Sequence, residues 1–166
     1  MSFPIDHQTF VSFLLTAKRQ TYTAGDESAK VTALLSGSKQ FEYREGSLLY
    51  RDIYFGGNYF AGQETVYYEG QPVWAMTYAG GITDAASAGG ITDAASDAGV
   101  VYGFLQEAMR HATPARPYRG PGTFRRDAYV YQDDGAGHLE DFWGEETITY
   151  QGQLVYRLHY SGGWLH

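Results

Sequence analysis

Apolar positions along the chain follow two periods. Near the N-terminus Phe10, Phe13, Leu14 and Ala17 recur at i, i+3, i+4 and i+7, a single helical stripe, and Asp6, after Pro4 and Ile5, is placed to cap it. "TAGDESAK" and "LSGSKQ" then interrupt the pattern with turn residues. The helical spacing returns at Val101, Phe104, Leu105 and Ala108, with Thr92, Asp93 or Asp97 available as N-cap and Thr113-Pro114 as the stop. Between and beyond these stripes, Phe41 to Tyr78 and Phe124 to Tyr160 are rich in Tyr, Phe, Val and Trp, and glycines punctuate them. Such runs predict antiparallel strands joined by tight turns. The order helix, strands, helix, strands predicts an α+β fold.

The two strand runs also match each other. "FAGQETVYYEGQPVWAMTYAGG" (60–81) aligns without gaps on "FWGEETITYQGQLVYRLHYSGG" (142–163), with 11 of 22 positions identical. Tyr50-Arg51-Asp52 has a counterpart in Tyr131-Gln132-Asp133, one residue out of step. The pattern predicts a single domain, 1–166, built of internally duplicated α-β-β-β units at 5–81 and 97–163, with one antiparallel sheet and two helices packed on one face. Between the units "AGGITDAAS" occurs twice in tandem, at 79–87 and 88–96. Its opening "AGG" reads as the close of a strand. One copy is expected to lead into the second helix and the other to form an exposed loop or helical turn.

Glu69-Gly70 and Gln151-Gly152 are the expected two-residue hairpin loops. Regular pairing outward from them sets Tyr67 against Pro72, Thr65 against Trp74, Thr147 against Tyr156, and Glu146 against Arg157. One face then carries Trp74, Met76, Tyr78, Tyr156, Leu158 and Tyr160, and is the expected bed for the helices. Glu64, Tyr68, Glu146 and Tyr150 fall on the other face. Tyr50, Asp52 and Tyr54 share one side of their strand, as do Tyr129, Tyr131 and Asp133, and these sets either extend that acidic, aromatic surface or alternate ordinarily with solvated tips.

Two glutamates amid tyrosines could hold a cationic or aromatic small molecule by charge and cation–π contact. The expected ligand-binding residues are therefore Glu64, Tyr68, Glu146, Tyr150, Tyr50 and Asp52, in a non-enzymatic binding or sensor module. Two alternatives stand beside it: a protein-interaction module whose aromatic face a homodimer covers, and a hydrolase using Glu64 and Glu146 as paired carboxylates. No catalytic residue, metal ligand or cofactor is assigned. "QDDGAGHLED" (132–141) gathers acids and glycines without the ligand spacing of a calcium loop, and reads as a polar hairpin loop. Arg110, Arg116, Arg119, Arg125 and Arg126 form a local basic run among prolines and glycines; the reading is a solvated connection whose arginines pair with surplus carboxylates.

Charge narrows the partners. A formal net charge of −7 disfavours nucleic acid as a partner. With no cysteine there is no disulfide framework, thiolate zinc site or cysteine nucleophile. The first 20 residues lack the features of a signal peptide and no apolar run is long enough to span a bilayer, so a cytoplasmic location without membrane partners is expected.

The strings "YFGGNYFAGQETVYYEGQPVWAMTYAG", "PYRGP" and "FWGEETITYQGQLVYRLHYSGG" resemble an uncharacterised bacterial family of unknown function, whose members occur alone or behind an XRE-type helix-turn-helix domain. The resemblance runs from the first helix to Gly163, apart from the tandem nonapeptide. It implies a sensor or regulatory module and supplies no catalytic residues. Five residues precede the first helix, so a helix-turn-helix is not expected in this sequence.

Overall fold

The computed structural model describes residues 5–23, 27–83 and 97–166. Helix α1 (His7–Lys18) starts where Asp6 accepts a hydrogen bond from the Thr9 backbone N–H at 2.9 Å. Its predicted stripe is wholly buried. The helix runs on into a π-helical turn, Arg19–Thr23. Helix α2 (Ala98–Met109) is capped by Asp97, and Val101, Phe104, Leu105 and Ala108 are all fully buried. Thr92 and Asp93, with most of the tandem nonapeptide, lie outside the described residues.

The strands form one eight-stranded antiparallel sheet: β1 (Lys39–Glu45), β2 (Leu48–Gly56), β3 (Tyr59–Tyr68), β4 (Gln71–Ile82), β5 (Thr123–Arg126), β6 (Tyr129–His138), β7 (Asp141–Tyr150) and β8 (Gln153–Trp164). Their order is β1-β2-β3-β4-β8-β7-β6-β5, so the two halves meet along β4 and β8. There Tyr78 lies directly opposite Tyr160, and Trp74 opposite Trp164. Each half supplies four strands rather than the three expected. The extra ones, β1 and β5, are charged edge strands that fall at the start of the two predicted strand runs. The "AGG" of the first nonapeptide copy does close a strand, as residues 79–81 of β4.

The expected hairpin loops are present. Glu69 and Gly70, and Gln151 and Gly152, all have positive φ, at 49° and 81° in both hairpins, the left-handed pair that a two-residue hairpin needs. The register beyond them differs from the regular count. Tyr67 faces Pro72, but Val66 faces Trp74, leaving Val73 with no opposite residue in β3. In the second hairpin Thr149 faces Leu154 and Ile148 faces Tyr156, leaving Val155 with no opposite residue in β7. Each is a β-bulge, one extra residue in the strand, and it moves every later position of β4 and β8 by one.

The bulges correct the face assignment. Glu64 lies opposite Met76 and Glu146 opposite Leu158, on the same side as Trp74, Tyr78, Tyr156 and Tyr160. Tyr50 and Asp52 share that side, paired with Val66 and Glu64. The residues grouped in sequence do share a face, but it is the face beneath the helices. Phe10 packs edge-on against Trp164 at 4.6 Å, and Phe104 stacks on Tyr129 at 5.1 Å, which fixes α1 and α2 over that side. On the opposite face Arg157 pairs with Glu145 at 3.5 Å, not with Glu146. No described helix is long and apolar enough to cross a membrane.

Candidate functional site

Beneath the helices, acids that would be costly to bury alone are matched one by one. Glu146 is fully buried and is held by the Arg119 guanidinium, whose Nε donates to Oε2 at 2.9 Å and whose Nη2 contacts Oε1. Tyr131 and Tyr156 donate their hydroxyls to the same carboxylate at 2.8 and 2.7 Å. Glu64, 4% exposed, takes the Lys18 ammonium, with Nζ 2.8 Å from Oε1 and 2.6 Å from Oε2. Burial lowers the pKa of Lys18, and the charge of Glu64 opposes that shift.

Two aspartates complete the layer. Asp52 lies opposite Glu64 and Asp133 opposite Glu146. Tyr78 donates to Asp52 Oδ1 at 2.6 Å, and Tyr160 to Asp133 Oδ1 at 2.6 Å. Each phenol crosses a strand at a glycine: a Cβ at Gly62 would sit 2.6 Å from the Tyr78 hydroxyl, and one at Gly144 would collide with that of Tyr160. Arg116 brings its guanidinium within 3.1 Å of Asp133. Burial, joined by the charge of Glu64, pushes the Asp52 carboxyl up to about 7. Burial likewise raises Asp133 to about 6, against the Tyr160 hydrogen bond and the charge of Arg116.

The first half of this layer opens into a cavity of about 360 Å³ bounded by β2, β3, the π-helical turn and the start of α2. Asp52 and Glu64 lie in its wall, with Arg119 beside them. Tyr22, Tyr54, Phe60 and Tyr102 supply the aromatic surface, with Phe60 edge-on to Tyr102 at 5.9 Å and to Tyr78 at 5.9 Å. Tyr102 ties α2 to the β2–β3 hairpin by donating to Gly57 O at 3.0 Å and Asn58 O at 2.9 Å. Burial pushes its hydroxyl up to about 12. Lys39, on the edge strand, also borders the cavity and sits 5.5 Å over the Tyr54 ring.

Of the residues expected to bind a ligand, Asp52 and Glu64 reach this cavity. Tyr50 and Glu146 are fully buried in the same layer. Tyr68 and Tyr150 lie at the hairpin ends of β3 and β7, paired with Leu48 and Tyr129, and do not line it. The solvated-tip reading of Tyr50 and Asp52 fails, because the bulged register puts both under the helices. Tyr22, Phe60, Tyr102 and Arg119 join the site from positions that carried no site signal. Arg119 came closest, as a member of the basic run read as a solvated connection; it is only 5% exposed. Elsewhere in that run Arg116 pairs with Asp133 and Arg126 with Glu107.

The 132–141 segment is mostly strand, not loop, with its turn at Leu139 and Glu140. Among the described residues no group of three or more His, Asp or Glu is arranged to hold a metal ion.

A family model described as a domain of unknown function, DUF5680, matches residues 52–165. That span runs from the middle of β2 through β8 and includes α2, hence every carboxylate of the layer. No curated protein and no solved structure matches the chain.

Proposed function

We propose that this chain, which belongs to the DUF5680 family, is a non-enzymatic binding or sensor module whose small-molecule ligand enters the cavity between α2 and the first half of the sheet. One observation carries the reading: a cavity of about 360 Å³ with aromatic walls has a 5%-exposed aspartate in its lining. Ligand sites are typically concave and largely apolar, with a few fixed polar groups, and a carboxyl with a raised pKa is one such group. Ligands with an aromatic body or a cationic group suit this lining best.

A paired-carboxylate hydrolase is the weaker reading. Both Glu146 oxygens already accept from Arg119 and a tyrosine, and Glu64 is held by Lys18, so neither carboxylate is free to move a proton to or from a substrate. The matching placement of Asp, Glu and Tyr in the two halves fits descent from one duplicated unit. As a bacterial, cytoplasmic sensor, such a domain would supply the effector site to an XRE-type helix-turn-helix fused to it.

The test is a thermal-shift screen with small aromatic and cationic aromatic compounds. A ligand at 100 times its Kd adds about 2.7 kcal/mol, which for a domain of this size raises Tm by roughly 5–10 °C. Hits should lose their effect in Tyr102→Ala, which removes one wall. Hits unaffected by that variant would place the ligand elsewhere.

A further inference from the structure

The two halves of the buried layer treat their aspartates differently. Asp52 and Asp133 each sit opposite a glutamate and each accept a tyrosine hydroxyl at 2.6 Å. Asp133 also has a cation of its own, the Arg116 guanidinium at 3.1 Å. No cation among the described residues forms an ion pair with Asp52; in its place is the cavity.

The sequence explains how the second half makes room for its arginine. A Cβ at Gly135 would stand 2.9 Å from Arg116 Nη2 and would collide with the Tyr160 hydroxyl, so glycine is what admits the guanidinium. The offset that relates Asp52 to Asp133 relates Gly135 to Tyr54, whose ring lines the cavity. Among its described residues the first half therefore has neither that glycine nor a guanidinium paired with Asp52, and has an aromatic wall and open volume instead.

We propose that the cavity takes an external organic cation, an aryl or alkyl guanidinium or amine, which pairs with Asp52 as Arg116 pairs with Asp133. This rests on the cavity being a ligand site and specifies the chemistry it selects. Lys18 and Arg119 face Asp52 from α1 and from the connection before β5, but each is already engaged, with Glu64 and Glu146. Glu64 on β3 adds like charge. Tyr78 on β4 donates one hydrogen bond. Tyr50 on β2 lies near, and Tyr22 from the π-helical turn and Tyr102 and Gln106 from α2 face the same cavity. Lys39 borders it from β1, above Tyr54, and opposes a cation there. With the two glutamates neutralised, Asp52 is the acid left without a counter-ion. The Tyr54, Phe60 and Tyr102 rings suit a cation–π contact.

Cation binding must also ionise a carboxyl whose pKa burial and Glu64 raise to about 7. Binding should therefore weaken about tenfold from pH 8 to pH 6, as the ionised fraction of Asp52 falls.

The experiment is calorimetric titration of the full chain with benzylguanidine, which stays protonated throughout this range, and with its neutral isostere benzylurea. The expected result is at least tenfold tighter binding of benzylguanidine at pH 8, a preference that shrinks about tenfold at pH 6 and disappears in Asp52→Asn. Benzylurea binding to Asp52→Asn reports that the variant keeps its cavity, and the wild-type comparison needs no variant at all. Equal affinity of the two probes in the wild type, or a preference that survives in Asp52→Asn, would overturn the cation assignment while leaving the ligand site standing. Failure of both probes to bind would remove the ligand site, and the cation assignment with it.

Discussion

The pairing of Arg119 with Glu146 gives the sharpest stability prediction. In Arg119→Met a fully buried carboxylate would keep only the Tyr131 and Tyr156 hydroxyls, after losing a guanidinium that engages both its oxygens. Removing one partner of a buried pair costs about 3–5 kcal/mol, because the remaining charge stays desolvated. At roughly 2–4 °C per kcal/mol for a domain of this length, Tm should fall by roughly 6–20 °C. Glu146→Gln on the same background removes the orphaned charge but keeps an acceptor for the two tyrosines. The double variant should therefore recover at least about 1 kcal/mol over Arg119→Met, a non-additivity expected of residues in contact. Urea unfolding of the wild type, both singles and the double supplies the cycle. A loss below about 1 kcal/mol in Arg119→Met, or a double variant less stable than it, would refute the idea that this pair holds a desolvated charge in place. Lys18→Met should cost less, because Glu64 lines an open cavity whereas Glu146 is fully enclosed.

Three further outcomes are expected. Gly144→Ala would push the Tyr160 ring off Asp133 and cost about 1–3 kcal/mol by overpacking, measured by urea unfolding; a neutral result would show that the ring has room to move. Asp52 and Asp133 have folded-state pKa values of about 7 and about 6, above the unfolded value of roughly 3.9, so their stabilisation is full below about pH 4 and is lost as pH rises through 6 to 7. Asp52→Asn should flatten the decline between pH 5 and 7.5 by up to about 1.4 kcal/mol per pH unit, the limit for one proton. An unchanged slope in the variant would show that Asp52 is ionised throughout. Deleting 88–96, one copy of the nonapeptide, should leave Tm within a few degrees, since loop closure changes by only about 0.6 kcal/mol per doubling of length; a large drop would make the segment part of the core.

Helices and hairpin turns were legible because each rests on a local rule. The stripe at Phe10, Phe13, Leu14 and Ala17 needs only the helical period, and Glu69-Gly70 needs only its left-handed backbone. The side of the sheet that Glu64 occupies depends on counting through Val73, and a valine in a bulge looks like any other strand valine. Two such bulges, at Val73 and Val155, were enough to reverse the side given to both glutamates while leaving their grouping with Tyr50 and Asp52 intact. Arg119 was hidden for a different reason. It sits between tyrosine and glycine in a connection without periodicity, and its burial comes from a carboxylate 27 residues away. The cavity was not legible at all, since it is a gap between α2, the π-helical turn and the sheet, and no residue pattern encodes a gap.

The place where the tandem nonapeptide joins the fold bears on how such a protein can diverge. Ala98, the first residue of α2, borders the cavity, and the repeat runs up to the Asp97 cap immediately before it. The floor of that cavity tolerates little change, since replacing Lys18 or Arg119 strands the charge of Glu64 or Glu146. The α2 side of the lining is different, because Ala98, Tyr102 and Gln106 hold no buried charge. Substitutions at those three positions would reshape one wall while leaving the ion-paired floor untouched. Related chains that differ there would share a core chemistry and differ in what they admit to it.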